Sequence, residues 1–130
     1  LDVDHFKSIN DRFGHLAGDK VLRLIALQLS RRLRKTDYIG RFGGEEFVVL
    51  MPGTTLEQGA IALEELRAGI EGSPFHFKNE PVRVTISIGY TQFCKGDTLD
   101  TVFERADKAM YSAKDQGRNQ VIQDSHGTHA

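Results

Sequence analysis

Val82, Val84, Ile86, Ile88 and Tyr90 fall at every second position. That period of two predicts a strand over 82–91 with one apolar face. Leu99, Val102, Phe103, Ala106, Met110 and Ala113 recur at three and four instead, which predicts a helix that stops near Gly117. Leu22, Ile25, Leu29 and Leu33 form a second helical stripe, and Leu56, Ala60, Leu63, Leu66 and Ile70 a third that runs to Gly72. Thr55 with Gln58 reads as a capping box for that third helix. Upstream, Leu1 to Val3 reads as the stub of a strand ending in carboxylates, and Phe6, Ile9 and Phe13 suit one or two helical turns. The segment Gly14-His15-Leu16-Ala17-Gly18 is expected to break that helix, with Asp19 as N-cap of the next.

Segments 37–42 and 46–51 read as strands joined through a two-residue hairpin at Gly43-Gly44. The second of them, Phe47-Val48-Val49-Leu50-Met51, is apolar without alternation, as in a strand buried on both faces. Segment 75–78, turning at Asn79-Glu80-Pro81 into the alternating strand, predicts a second hairpin, and 120–122 a last short strand. Residues 126–130 are expected to fray as a tail. The order β-α-β-β-α-β(β)-α-β predicts a two-layer α/β domain, a mixed sheet flanked by helices.

Composition narrows the function classes. The chain has 130 residues, 39% hydrophobic, enough for one domain with its own core. Lys and Arg number 17 against 18 Asp and Glu, a net charge of −1. Nucleic-acid binding through bulk charge is therefore not expected. The single cysteine, Cys94, excludes an internal disulfide and fits a reducing, cytoplasmic setting. No apolar run reaches the ~18 residues of a membrane span, so no membrane contact is expected within this chain.

Candidate chemistry gathers at the strand ends. Asp2 closes the first strand, and Glu45 and Glu46 follow the glycine turn of a later one. Carboxylates from two strand ends suit Mg²⁺, which takes oxygen ligands and shares its shell with substrate phosphates. Gly43 and Gly44 would let a phosphate or sugar approach the backbone. Alone, Gly43-Gly44-Glu45-Glu46 reads first as a plain hairpin with solvated glutamates. Asn10 and Asp19 carry the amide and carboxylate edges that pair with guanine, or serve as a turn residue and an N-cap. Lys114 and Arg118 suit triphosphate oxygens, or complement a helix C-terminus.

Taken together, these residues resemble one family. Asp2-Val3-Asp4-His5-Phe6-Lys7-Ser8-Ile9-Asn10-Asp11, with Phe13-Gly14-His15 and Gly18-Asp19, is similar to the opening motif of GGDEF-domain diguanylate cyclases. Arg41-Phe42-Gly43-Gly44-Glu45-Glu46-Phe47 resembles the family signature in its Gly-Gly-Glu-Glu-Phe form. Ala106-Asp107-Lys108-Ala109-Met110-Tyr111, then Ala113-Lys114 and Gly117-Arg118-Asn119, resembles the closing motif. The likeness runs from Leu1 to about Ile122, which makes 1–123 a GGDEF domain and 124–130 a tail. Against the family pattern, the N-terminal helix and most of the first strand are absent. An upstream sensory or dimerising module is expected.

The resemblance implies a palm-like fold shared with nucleotide cyclases and polymerases. It implies condensation of two GTP into cyclic di-GMP with release of pyrophosphate. Asp2, the Val3 carbonyl and Glu45 would then ligate Mg²⁺, or Mn²⁺ in its place, with Glu45 and Glu46 as the catalytic carboxylates. Asn10 and Asp19 would read guanine beside His15, Gly43 and Gly44 would line the substrate, and Lys7, Lys114 and Arg118 would face phosphates. Two copies must meet as a two-fold homodimer, because each domain binds one GTP. Arg34 and Asp37 stand where the family's inhibitory Arg-x-x-Asp binds cyclic di-GMP. As a bare tetrapeptide the pair is equally a surface ion bridge.

Two rival readings use the same residues. One is a receptor that keeps GTP or cyclic di-GMP binding without turnover, although it would not require the intact Glu45-Glu46 pair. The other is a non-catalytic interaction domain, which three ordered motifs make improbable. A palm enzyme forming cyclic AMP or cyclic GMP would lack the Gly-Gly-Glu-Glu-Phe turn. His5 and His76 lack metal-ligand spacing, His126 and His129 sit in the tail, and Cys94 lacks a paired base.

Overall fold

The structure, a computed structural model, describes residues 1–124. A five-stranded mixed sheet runs in the order β2-β3-β1-β6-β7. Its strands are β1 (Asp2–Val3), β2 (Tyr38–Phe42), β3 (Glu46–Leu50), β6 (Ile86–Tyr90) and β7 (Val121–Gln123). β1 pairs antiparallel with both β3 and β6, β2 pairs antiparallel with β3, and β7 lies parallel to β6. A separate two-stranded ribbon joins β4 (His76–Phe77) to β5 (Glu80–Pro81). The helices are α1 (Phe6–Phe13), α2 (His15–Arg32), α3 (Leu56–Glu71) and α4 (Leu99–Asp115).

Strand alternation divides the sheet into two faces. Val3, Phe47, Ile86 and Ile88 pack into the main core with Val21, Ile25 and Leu29 of α2 and Leu63, Leu66 and Ile70 of α3. Asp2, Ser87 and Gly89 take the alternate positions, on the side covered by α4. A Cβ on Gly89 would lie 2.2 Å from both the Ala106 carbonyl oxygen and the Met110 nitrogen, so α4 rests directly on the strand backbone. α3 and α4 begin with capping boxes, at Thr55/Gln58 and Thr98/Thr101.

Several expectations change. The second helix starts at His15, not after an N-cap at Asp19, because Gly14 alone, at φ 91°, ends α1 and opens α2. Asp19 is an exposed residue inside the helix. The break predicted through Gly18 is absent because Ala17 and Gly18 are buried against α1. The β2–β3 connection is three residues, with Phe42 opposite Glu46 and Gly43 at φ 74°. β3 is not buried on both faces; among its residues only Phe47 is fully buried, and Leu50 is exposed. The 82–91 strand shortens to β6, although Val82 and Val84 are still buried. The second hairpin turns at Lys78 and Asn79, both at positive φ, rather than at residues 79–81. The last strand falls one residue later than predicted. The tail at 126–130 lies outside the described residues. Among those described, no helix is long and apolar enough to cross a membrane.

β1 contributes two residues where β3 and β6 have five each. Beyond Leu1 their facing edges border a groove of about 780 Å³, lined by Phe42, Glu46, Tyr90, Phe103 and Met110 among others. Phe42 and Phe103 meet across it with ring centroids 5.3 Å apart.

Candidate active site

Register brings the acidic residues to one rim of the sheet. Asp2 sits between Glu46 on β3 and Ser87 on β6. The Val3 amide donates to the Glu45 carbonyl at 3.2 Å, which ties the glycine turn to β1. Arg41 braces the same turn by donating from Nη2 to the Gly44 carbonyl at 2.8 Å. Two-period geometry then puts Asp2 and Glu46 on the α4 side of the sheet, with Glu45 at its edge.

Lys114, in the last turn of α4, reaches into this rim. Its Nζ lies 3.6 Å from Asp2 Oδ1 and 3.5 Å from Asp4 Oδ1. Burial pushes the Asp2 carboxyl above its ordinary pKa, Lys114 pulls it down, and the negative charges of Glu45 and Glu46 push it up again. Asp2 Oδ1 is buried and has no hydrogen-bond partner. A buried anionic oxygen that accepts no hydrogen bond, crowded by like charges and only partly offset by Lys114, is an arrangement that a divalent cation relieves. Among the described residues, no three His, Cys, Asp or Glu side chains form a protein-only metal cage. Mg²⁺ is commonly held by one or two carboxylates plus substrate phosphates, and Asp2 with the neighbouring Glu45 offers such carboxylates. The residues present therefore fit such an ion.

The guanine candidates gather at the α1–α2 corner. A Cβ on Gly18 would lie 1.9 Å from Asn10 Oδ1, so the Asn10 side chain occupies the space that glycine leaves. Asn10 Oδ1 is buried without a hydrogen-bond partner. Lys7 is exposed one turn before Asn10, and His15 and Asp19 are exposed one turn apart on α2. Asp19 lines a pocket of about 280 Å³ with Leu22, Arg23, Ala26, Arg41 and Phe47. Arg118 is exposed beyond α4, at φ 65°.

Arg34 and Asp37 do meet. The Arg34 amide donates to Asp37 Oδ2 at 2.8 Å, and Arg34 Nη2 lies 3.7 Å from Asp37 Oδ1. The Arg34 guanidinium also donates to the Pro52 carbonyl at 3.1 Å and to the Thr54 hydroxyl. The Asp37 side chain is only 1% exposed while that of Arg34 is 55% exposed. Arg34 thus faces solvent, and Asp37 would have to leave the Arg34 amide to face a ligand.

Sequence reasoning missed Asp4. Its side chain is fully buried and accepts from Ser87 Oγ at 2.6 Å, Thr85 Oγ1 at 2.8 Å and the Asn119 amide at 3.0 Å. The available signal was the Asp-Val-Asp alternation, which puts a second carboxylate on the same side as the first.

Comparison with known proteins bears on the family and the fold. A family model described as "Diguanylate cyclase, GGDEF domain" matches residues 1–120. Diguanylate cyclase DgcP of Pseudomonas aeruginosa is 60% identical over 121 residues, 93% of this chain and 18% of that protein. Response regulator PleD of Caulobacter vibrioides is 46% identical over 125 residues, 94% of this chain and 28% of that protein. The chain therefore spans less than a third of the length of these curated relatives. The GGDEF domain of DgcB from Caulobacter crescentus, solved in complex with c-di-GMP, superposes with a TM-score of 0.92 at 35% identity. That match covers 95% of this chain and 74% of the solved one.

Proposed function

The chain belongs to the diguanylate cyclase GGDEF-domain family, and from that premise we propose that it condenses two GTP into cyclic di-GMP and releases two pyrophosphates. The observation that carries this reading is the rim where Lys114 stands between Asp2 and Asp4 while the buried Asp2 Oδ1, in ion-pair range of Lys114, accepts no hydrogen bond. A rim with a lysine above crowded carboxylates suits a metal–triphosphate substrate better than an interaction surface does.

In this reading Asp2, the Val3 carbonyl and Glu45 hold Mg²⁺, or Mn²⁺ in its place. The bound ion would neutralise charge on the α-phosphate and lower the pKa of the attacking hydroxyl. Asn10 and Asp19 take the guanine edge, with His15 beside them, and fix the base at the α1–α2 corner. Gly43 and Gly44 let the nucleotide approach the turn. Lys7, Lys114 and Arg118 draw the phosphates into line with the incoming 3′-hydroxyl. Glu45 accepts the proton of that hydroxyl as the new P–O bond forms and pyrophosphate leaves, with Glu46 as the second catalytic carboxylate. The setting is the cytoplasm, where GTP is made.

The 3′-hydroxyl of each GTP must reach the other's α-phosphate, so two copies face one another as a homodimer. Cyclic di-GMP is also the inhibitor in this reading, held by Arg34 on its exposed guanidinium and by Asp37. Incubation with GTP and Mg²⁺ followed by nucleotide chromatography tests the condensation and the inhibition. Cyclic di-GMP should appear, and its formation should slow as it accumulates. Arg34→Ala should keep the initial rate and lose the slowing. Guanine-nucleotide binding without any cyclic dinucleotide would favour a receptor instead. Unchanged slowing in Arg34→Ala would remove the inhibitory site alone.

A further inference from the structure

Among the described residues, Asp4 is the one charged residue buried as a whole, backbone and side chain; it lies beside the phosphate-facing residues, and the mechanism above does not use it. Asp4 has a fully buried side chain, so no ligand can reach it. Its charge acts only through its donors. Oδ1 takes the Ser87 hydroxyl at 2.6 Å and faces Lys114 Nζ at 3.5 Å. Oδ2 takes the Thr85 hydroxyl at 2.8 Å and the Asn119 amide at 3.0 Å. One carboxylate thereby links β1 and β6 to the end of α4 and the turn that follows it.

That turn is conformationally demanding. Gly117, Arg118 and Asn119 stand at φ 114°, 65° and 49° in succession, a region that non-glycine residues seldom occupy. Besides backbone bonds from Gly117 and Arg118 to the end of α4 and one from Gln120 Nε2 to the Arg118 carbonyl, Asn119 ties it down in three places. The Asn119 amide donates to Asp4, Arg67 Nη1 donates to Asn119 Oδ1 at 2.8 Å, and Asn119 Nδ2 donates to Glu71 Oε2. Arg118 sits inside this clamp with an exposed side chain that has no carboxylate partner among the described residues. Lys114 has the opposite problem. Its flexible stem has a competing partner, Asp2, at 3.6 Å. With Asp4 charged, the ammonium is shared between two carboxylates. Without that charge it would collapse onto Asp2, the carboxylate assigned to the metal.

We propose that Asp4 is the positioning residue that holds Lys114 and the 117–119 turn, and with it Arg118, in place for the nucleotide's phosphates. The proposal rests on the reading that Lys114 and Arg118 face the phosphates of GTP. It separates from a structural role because it concerns phosphates and not the base.

The test is calorimetric titration of the full chain with 3′-deoxy-GTP and with 3′-deoxyguanosine, in Mg²⁺. Neither ligand has the attacking hydroxyl, so binding is read without turnover. Asp4→Asn should weaken 3′-deoxy-GTP about tenfold and leave 3′-deoxyguanosine within about twofold, the size expected for one charge-assisted contact. Asn119→Ala should show the same selective loss. Asn119→Gly, which loses the same side-chain bonds and keeps the same backbone N–H to Asp4, should recover part of the affinity lost in Asn119→Ala, because glycine takes positive φ freely where alanine is strained. Equal weakening of both ligands, or no weakening, in Asp4→Asn would overturn the proposal. If Asp4→Asn does not melt cooperatively, the Asn119 pair decides, and Asn119→Gly binding no better than Asn119→Ala overturns it. A wild type that binds nucleoside as tightly as triphosphate would instead refute the phosphate-facing reading, and the role of Asp4 would fall with it.

Discussion

Asp2 shows how a single side chain can be held against its own stability. Burial and the charges of Glu45 and Glu46 raise its pKa, and Lys114 only partly opposes them. A carboxyl whose folded pKa lies above its unfolded value binds more protons in the folded state. Its contribution to stability is thus fully present below the unfolded value, about 3.9, and is lost as pH rises through the folded one. Near neutral pH the metal-free protein therefore carries an unfavourable charge at Asp2. Asp2→Asn should melt a few degrees higher than wild type at pH 7 in EDTA, and the gap should close as pH falls towards about 4. Added Mg²⁺ should raise the melting temperature of wild type and not of the variant, which should also lose cyclase activity. A variant that melts lower than wild type at pH 7 would show that Asp2 is held for structure. Asp4, two residues on, differs because it has a donor for each oxygen where Asp2 Oδ1 has none.

Among the elements, α4 couples packing to chemistry most directly. It lies on β6 with the Ala106 carbonyl and Met110 nitrogen where a Gly89 Cβ would project, and about one further turn of helix beyond Met110 carries Lys114 to the carboxylate rim. Backbone atoms 2.2 Å away cannot swing aside as a flexible side chain does. Gly89→Ala should therefore push α4 outward, costing about 1–3 kcal/mol as an overpacked core does, and displace Lys114 from Asp2 and Asp4. Urea unfolding and GTP turnover measured together check this. Activity should fall further than the fraction unfolded explains, and full turnover in a folded variant would show that Lys114 does not depend on that seat. The long elements were legible in sequence because apolar spacing reports which face a helix or strand buries, as in α3 and α4. Register was not. Nothing in the spacing says that Glu46 faces Asp2, that the β2–β3 connection takes three residues, or that Asn10 fills the space above Gly18. Asp19 was misplaced as a cap because one glycine at φ 91° both ended α1 and opened α2. The candidate site residues were found by motif, but the network that holds them, from Asp4 to Ser87 and Asn119, joins positions more than 80 residues apart. Such contacts become visible only when the sheet order is known.

At the scale of the whole molecule, the site is an open rim and not a closed chamber. Its carboxylates come from β1 and the turn before β3, its cations from the end of α4, and its guanine candidates from the α1–α2 corner. One chain contains one such set. The proposed product has two phosphodiester bonds, each made by the 3′-hydroxyl of one nucleotide on the α-phosphate of the other. In the proposed reading a lone chain presents one α-phosphate to its own carboxylates, so closing the ring calls for a second loaded site opposite. A net charge of −1 per chain leaves little long-range repulsion to oppose that approach. Turnover per chain should then depend on protein concentration. When most chains are monomeric, cyclic di-GMP formed per chain should rise in proportion to chain concentration, and it should level off once dimers dominate. The same dilution series followed by light scattering would locate the monomer–dimer transition, and the two midpoints should coincide. A chain that light scattering shows to be monomeric, yet whose turnover per chain is constant across the series, would mean that one domain completes the reaction alone. The two-fold arrangement would then be wrong even if the carboxylate rim is the site of chemistry.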